Sequence, residues 1–272
     1  MRKINVQVSS GLGDRLLTLL FYHVNFGSEN EINFFWEKNH CLNCDYHNLL
    51  NNKIKLSYDV SNSFFLHPQV SAINRKALIQ NYLNLVKDDV HINGEVFDKT
   101  CDFKKLYYKK YFQEIINPVD KIKQITEDYV ENNFDGKVIG VHLRVADKFC
   151  LKTLSFFSPK KSLFEVLQEY EKSIAHAEDD CKILFSTDDS GPKSPNSSEI
   201  QDLKLRDYFK EKYGSRIIEF PCRSLNRNSE EGIFDAFCTL VLLSKCDYFV
   251  GSSSSSFSKL ICANFEDDFI LV

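Results

Sequence analysis

His142, Arg144 and Asp147 stand at near-alternating positions at the end of the apolar run Val138-Ile139-Gly140-Val141. Such a run reads as a buried strand, and the three polar residues fall where it leaves its sheet. In an open α/β sheet that edge is where ligands bind. A planar guanidinium there can grip a phosphate or pyrophosphate through two parallel charge-assisted hydrogen bonds. The same residues also suit a plain ion pair between Arg144 and Asp147, and the run alone does not choose between the two.

Further groups fall into the same frame. Asp247 to Gly251 reads as a short buried strand, followed by Ser252 to Ser256 and then a helix opening at about Phe257. A serine turn of this kind, with Ser254, Ser255 and Ser256 at its centre, offers backbone N–H groups and hydroxyls where a helix dipole favours an anion. Asp188 and Asp189 follow the strand Cys181 to Ser186 and could hold ribose hydroxyls, a base edge or a metal ion; an Asx turn explains them equally well. Asp235 lies one turn into the apolar helix Ile233 to Leu243, where dipole reasons alone would favour it. Gly11-Leu12-Gly13 opens another helix and can approach phosphates or a sugar closely. It is an incomplete dinucleotide fingerprint, because Leu16 occupies the third glycine position. No P-loop lysine, G-x-S-x-G elbow or H-E-x-x-H occurs, which disfavours the common nucleotide hydrolases, esterases and zinc proteases.

The elements that must position these residues alternate. Residues 4–8 pattern as a first strand, residues 15–25 as a helix and residues 32–36 as a second strand. From about 70 to 132 the pattern is largely helical, with Pro68 and Pro118 as breaks. The polar stretch Glu131 to Gly136 marks the expected domain boundary, giving units 1–133 and 134–272. The second unit reads as strand 138–143, helix 160–177, strand 181–186, helix 199–213, strand 217–220, helix 232–245, strand 248–250 and a helix from about 257. Strands alternating with helices imply α/β architecture with parallel sheets. Ser190 to Ser198, rich in proline and serine, reads as a loop.

Bulk properties narrow the function. With 272 residues, 43% hydrophobic and 26% charged, the chain can build a full core. A net charge of -4 gives no general attraction to nucleic acid or anionic membranes, so neither is an expected partner. The basic stretch Lys104 to Lys110 reads better as a solvated helix face, with Tyr107, Tyr108 and Tyr111 turned inward, than as a nucleic-acid patch. Neither an apolar signal core near the N-terminus nor a run long enough to span a bilayer is present, so a soluble intracellular protein is expected. Nine scattered cysteines suit buried thiols rather than a disulfide framework. His40, Cys41, Cys44 and His47 have zinc-ligand chemistry, but their crowding into eight residues lacks the two separated pairs of structural zinc sites. A packed loop is expected there instead.

The order of these motifs is more specific than any one of them. Gly11-Leu-Gly-Asp-Arg-Leu, Val138-Ile-Gly-Val-His-Leu-Arg-Val-Ala-Asp-Lys148, Phe185-Ser-Thr-Asp-Asp189, and Asp235 through Asp247-Tyr-Phe-Val-Gly-Ser to Ser258 resemble the GDP-fucose-dependent fucosyltransferases that share three short motifs. That group comprises the core α-1,6-, nodulation and protein O-fucosyltransferases. The aromatic strand ending in Trp36, followed by Asn39 and Cys41, also has a counterpart there; residues from about 45 to 130 match nothing in the family pattern. The resemblance implies a GT-B-like fold, two Rossmann-like halves with parallel sheets facing across a cleft, the donor on the C-terminal half and the acceptor on the other. It implies that Arg144 holds the diphosphate while His142 and Asp147 support it. Ser255, Ser256 and Phe257 would contact the phosphates and base region, Asp188, Asp189 and Asp235 would lie near the nucleotide or buttress it, and the loop Gly11 to Gly13 would close over the donor.

The expected reaction is inverting, metal-independent transfer of L-fucose from GDP-fucose to a glycan or glycoconjugate, with no cofactor beyond the nucleotide sugar. Arginine and helix-terminal amides can neutralise the departing diphosphate. A carboxylate is still needed to take the acceptor's proton. Here the chain departs from the core-type pattern: Val145 replaces a second arginine, Lys152 an acid, and Thr239 a position often acidic in relatives. The base is therefore unassigned, with Asp14 and Glu37 as candidates. Two other readings stay open, a metal-dependent GT-A-type transferase using Asp188 and Asp189, and a nucleotide-sugar-binding protein without turnover.

Overall fold

The computed structural model describes residues 2–8, 10–36, 38–39, 42–51, 64–65, 72–85, 90–93, 106–144, 162–176, 180–187, 205–224, 226 and 228–272. The N-terminal half runs β1 (Arg2–Val8), α1 (Leu12–Phe26), β2 (Asn30–Trp36), β3 (Phe64–Phe65), α2 (Ala72–Leu85), β4 (Val90–Asn93), α3 (Leu106–Ile115) and α4 (Asp120–Asn133). Its strands form one sheet in the order β2-β1-β4-β3, with every pairing parallel. The C-terminal half follows with β5 (Val138–Leu143), α5 (Leu163–His176), β6 (Lys182–Thr187), α6 (Leu205–Tyr213), β7 (Ile217–Ile218), α7 (Glu230–Leu243), β8 (Tyr248–Gly251), α8 (Ser256–Cys262) and β9 (Phe269–Leu271). These strands form a second parallel sheet, β7-β6-β5-β8-β9. The expected α/β architecture with two parallel sheets is thus the observed one.

The alternation of β1 explains its burial only in part, because Asn5, between Ile4 and Val6, is buried as well. Ile4, Val6 and Val8 are fully or almost fully buried, whereas Lys3 is exposed and Gln7 half-buried. β5 is buried at every position, as a central parallel strand between two layers of helices should be. Helix α7 begins where Ser229 caps it, its hydroxyl accepting from the Gly232 N–H at 3.1 Å, with Glu230 and Glu231 in the favourable first turn. Gly11, in extended conformation, precedes α1, which therefore starts three residues before the expected 15–25.

The stretch 70–132 was expected to be largely helical; α2, α3 and α4 bear that out, but Val90–Asn93 is a strand inserted between β1 and β3. Four residues between longer helical patterns are too few to register as a period of two. β9 was not foreseen either, and β7 covers only half of the expected 217–220. The expected helix 199–213 is seen from Leu205, with 199–204 outside the described residues, as are 190–198.

The two halves share one apolar core. It runs from Ile4, Leu16 and Leu20 in the first half to Phe237, Leu260 and Ile261 in the second, with α1 packed on α8 and α4 on α7. A second core, around Val141, Tyr170, Ile183 and Phe209, fills the other face of the C-terminal sheet beneath α5 and α6. Polar contacts reinforce the junction: Asn43 donates to the Asn228 carbonyl at 2.9 Å, and Asn48 donates to Glu230. Lys109 of α3 reaches Glu266 at 3.3 Å, in keeping with a solvated basic helix face. The six described cysteines form no disulfide with one another and, apart from half-buried Cys222, are buried.

Candidate functional site

In the C-terminal sheet the chain moves from β5 to β6 on one side and later places β8 on the other, so β5 and β8 flank a topological switch point. Arg144 follows β5 and the serine turn follows β8, which puts both at the crevice where such sheets bind ligands. The turn is held by serines at a spacing of three. Ser252, Ser255 and Ser258 are buried, at 6%, 6% and 0% exposure. Ser258 Oγ accepts the Ser252 N–H at 3.1 Å and lies 2.7 Å from His142 Nδ1, tying the turn to the end of β5. Ser252 Oγ accepts the Arg144 N–H at 2.9 Å. Ser255 caps α8 by accepting the Ser258 N–H at 3.4 Å.

The other members of the run face outward: Ser253 and Ser254 are exposed, while Ser256 and Phe257 are half-buried. The Phe257 ring packs against the His142 ring, tilted by 41° with centroids 4.8 Å apart, so the buried histidine supports this aromatic. The first turn of α8 leaves the Ser256 and Phe257 N–H groups without intrahelical acceptors. With the exposed Ser254 and half-buried Ser256 hydroxyls they make the outer side of this turn rich in donors, and the Arg144 backbone is tied to the turn through Ser252.

The glycine turn of the N-terminal half meets this surface. A Cβ on Gly13 would stand 2.7 Å from Phe257 N, 2.9 Å from Phe257 Cα and 3.0 Å from Ser256 Oγ. Only glycine allows the first turns of α1 and α8 to approach this closely. Asp14, half-buried, is the next residue of that turn. Leu12 is buried, whereas Gly11 has open space around it. Arg15, fully buried, holds the turn from behind: its Nε donates to the Ser10 carbonyl at 2.6 Å and its guanidinium lies 5.2 Å from the centre of the Trp36 ring. The loop expected around Cys44 is packed, with the Trp36 indole donating to the Cys44 carbonyl at 2.9 Å and burial pushing the Cys44 thiol up to about 12.

Asp235 is 2% exposed, and its carboxylate is occupied within the protein. It accepts the Arg223 N–H at 2.6 Å, the Ser224 N–H at 3.4 Å, and Arg223 Nη2 and Nε at 2.6 and 3.1 Å. Its role here is to fasten the segment 222–224, beyond β7 on the same sheet edge, to α7. Thr239, one turn later, returns its hydroxyl proton to the Asp235 carbonyl at 2.9 Å.

The geometry therefore brings Gly13, Ser256, Phe257, His142 and the Arg144 backbone together, and leaves Asp235 in a supporting position. Asp147, Asp188, Asp189, Glu37 and Lys152 lie outside the described residues, as do His40 and Cys41 of the cysteine–histidine cluster. Among the described residues no three His, Cys, Asp or Glu side chains are grouped to hold a metal ion, and no helix is long and apolar enough to cross a membrane. Sequence reasoning gave Ser258, Arg15 and Tyr170 no individual role and read Ser252 only as part of the serine turn, whereas all four lie behind the site. The spacing of three in Ser252, Ser255 and Ser258 was the one available signal.

Solved structures share this fold. The chain is similar to the α-1,6-fucosyltransferase NodZ co-crystallised with GDP, at 16% identity and a TM-score of 0.62 over 96% of this chain and 91% of that one. NodZ from Bradyrhizobium gives 14% and 0.60 over the same shares of this chain and nearly the same of that one, 96% and 92%. The fold is that of these fucosyltransferases. POFUT1 in complex with GDP-fucose follows at 10% identity and a TM-score of 0.51, covering 97% of this chain and 94% of that chain. An Arabidopsis thaliana FUT1 variant with GDP gives 13% and 0.53, over 97% of this chain and 68% of its own. No protein-family model and no curated protein matches the sequence.

Proposed function

We propose that this chain is an inverting, metal-independent glycosyltransferase that moves L-fucose from GDP-fucose to a glycan acceptor. Residues 134–272 form the donor half in this reading and residues 1–133 the acceptor half. One observation carries it. At a switch point of the C-terminal sheet, the backbone of Arg144, the serine turn and the touching first turns of α1 and α8 come together, in a fold shared with proteins crystallised with GDP and GDP-fucose.

The acceptor hydroxyl oxygen attacks C1 of fucose from the face opposite the diphosphate. The bond from C1 to the β-phosphate oxygen breaks, and GDP departs with the bonding electrons. The charge growing on the diphosphate is met by the Arg144 guanidinium and by the N–H and hydroxyl groups of Ser254, Ser256 and Phe257, which need no reorganisation as it develops. The acceptor's proton passes to a carboxylate; Asp14, beside Gly13 in the first turn of α1, is the candidate among the described residues and Glu37 the other. Asp147, Asp188 and Asp189 complete the nucleotide contacts in this reading.

Calorimetry in EDTA with GDP, GDP-fucose, GDP-mannose, UDP and dTDP tests it. Binding confined to guanine nucleotides, lost in Arg144→Ala while that variant keeps its melting temperature, is the expected result. Binding of UDP or dTDP instead would remove the fucosyl assignment, and dependence on manganese would remove metal independence. A second reading, nucleotide-sugar binding without turnover, is favoured by Val145 and Lys152 standing where the core-type enzymes carry an arginine and an acid. Fucose transfer to any acceptor, or slow release of fucose to water, excludes it.

A further inference from the structure

Tyr170 belongs to α5, on the far side of the C-terminal sheet from α8, and is fully buried. Its hydroxyl donates to the His142 carbonyl at 2.8 Å and lies 2.8 Å from Ser252 Oγ. Ser252 Oγ in turn accepts the Arg144 N–H at 2.9 Å. The protons of this chain run in one consistent direction. Arg144 N–H donates to Ser252 Oγ, the Ser252 hydroxyl donates to Tyr170 Oη, and Tyr170 donates to the carbonyl of His142. One phenol thereby connects the carbonyl of residue 142, which it touches directly, with the amide of residue 144, which it reaches through Ser252. The backbone is clamped on both sides of Leu143, at the point where β5 ends and the arginine leaves the sheet. Ser252 also anchors the serine turn through its own N–H on Ser258, so the clamp sets the arginine's backbone and the turn relative to each other.

A buried tyrosine needs some partner for its hydroxyl. A carbonyl anywhere beneath α5 would meet that need. This hydroxyl instead joins two strand ends, β5 and β8, that carry the proposed donor-binding groups. We infer that Tyr170 is a positioning residue for the donor site, acting through Ser252 to fix where Arg144 stands against the serine turn. The inference rests on the reading of Arg144 and that turn as the diphosphate site. Binding groups must be held to within about 0.5 Å and 10–20° of their working geometry, so releasing the clamp is expected to weaken binding without unfolding the chain.

The experiment is calorimetric titration of GDP into the wild-type chain, Tyr170→Phe, Ser252→Ala, the double variant, and Tyr170→Phe combined with Arg144→Lys. Ile174→Val, in the same core one helical turn away, serves as the control for lost packing. Tyr170→Phe and Ser252→Ala are each expected to weaken GDP about tenfold, the size of effect that small misplacements of binding groups produce. The double variant is expected to be no weaker than the worse single, because both break the same relay. Ile174→Val is expected to bind as wild type, and Tyr170→Phe to add little in the Arg144→Lys background. Wild-type GDP affinity in Tyr170→Phe overturns the inference. So does an equal loss in Ile174→Val, or a full additional tenfold loss in the Arg144→Lys background, since a purely structural tyrosine would behave that way. If the wild-type chain itself binds no guanine nucleotide, the functional reading fails first and takes this inference with it.

Discussion

Replacing Gly13 with alanine adds one methyl group at the point where the two halves touch. That carbon would lie 2.7 Å from Phe257 N and 2.9 Å from Phe257 Cα, both backbone atoms that no side-chain rotation can move aside. Ordinary contact begins at 3.4 Å, so the first turns of α1 and α8 must part by about 0.7 Å. Overpacking of this kind costs about 1–3 kcal/mol. For a chain of this size each kcal/mol lowers the melting temperature by about 2–4 °C. Gly11→Ala is the internal control: nothing lies within 4 Å of its Cβ position and its φ of -72° suits alanine. Because Gly11 is the N-cap of α1, where alanine is less favourable, a cost of at most about 1 kcal/mol is expected. Thermal unfolding of both variants is therefore expected to separate them, with Gly13→Ala the less stable and Gly11→Ala closer to wild type. Equal behaviour of the two, or wild-type values for Gly13→Ala, would refute the argument that this glycine is required by backbone approach.

Other substitutions probe the struts and the surface separately. Ser258→Ala strips partners from the buried Ser252 N–H and His142 Nδ1 and is expected to cost about 2–4 kcal/mol in urea unfolding; Ser254→Ala, at an exposed position, is expected to leave stability within about 0.5 kcal/mol while weakening GDP. Asp235→Ala removes the carboxylate that collects Arg223 and two backbone N–H groups. A loss of about 2–3 kcal/mol is expected, discounted because the Arg223 side chain is half exposed; wild-type stability would show that segment 222–224 is held by something else. His23 gives a pH dependence: burial pulls it from 6.5 down to about 4, and among the described residues its Nε2 has no hydrogen-bond partner. The fold thus favours the neutral ring, so its contribution is complete above pH 6.5 and drains away as pH falls from 6.5 towards 4. At pH 5 that amounts to about 2 kcal/mol relative to pH 7.5. His23→Leu is expected to remove this part of the acid sensitivity, and an unchanged pH profile would show that the ring is not the group responsible.

The sequence disclosed the elements with strong periods and the motifs that end them. β1, β2, β5, β6 and β8 alternate or run continuously apolar, and each was legible to within a residue or two. β4 and β9 were not, because Val90–Asn93 and Phe269–Leu271 are shorter than the window in which a period of two can be told from chance. They enter their sheets by pairing with β1 and β8, a non-local stabilisation that no local pattern carries. Asp235 shows the converse limit. Its position near a helix start gave it a dipole explanation, while its actual partner, Arg223, sits twelve residues upstream in the loop between β7 and α7.

The candidate site was legible where its groups face outward and hidden where they face in. Tyr170 falls with Leu167 and Ile174 on the buried stripe of α5, so by spacing it is a core residue. Nothing in that spacing reveals that its hydroxyl reaches across the sheet to Ser252. Likewise, five consecutive serines read as one anion-binding turn, but the backbone sorts them. A tight turn followed by a helix rotates successive side chains, so Ser252, Ser255 and Ser258 point into the protein while Ser253 and Ser254 point out. The inward group must satisfy its polar atoms against His142, Arg144 N–H and Tyr170, because unpaired polar groups in that core would be costly. That requirement makes the outward donors rigid, since each is covalently next to a serine that is fixed. If the crevice takes the proposed diphosphate, these buried polar residues fix in advance the positions that the anion would otherwise have to order on binding.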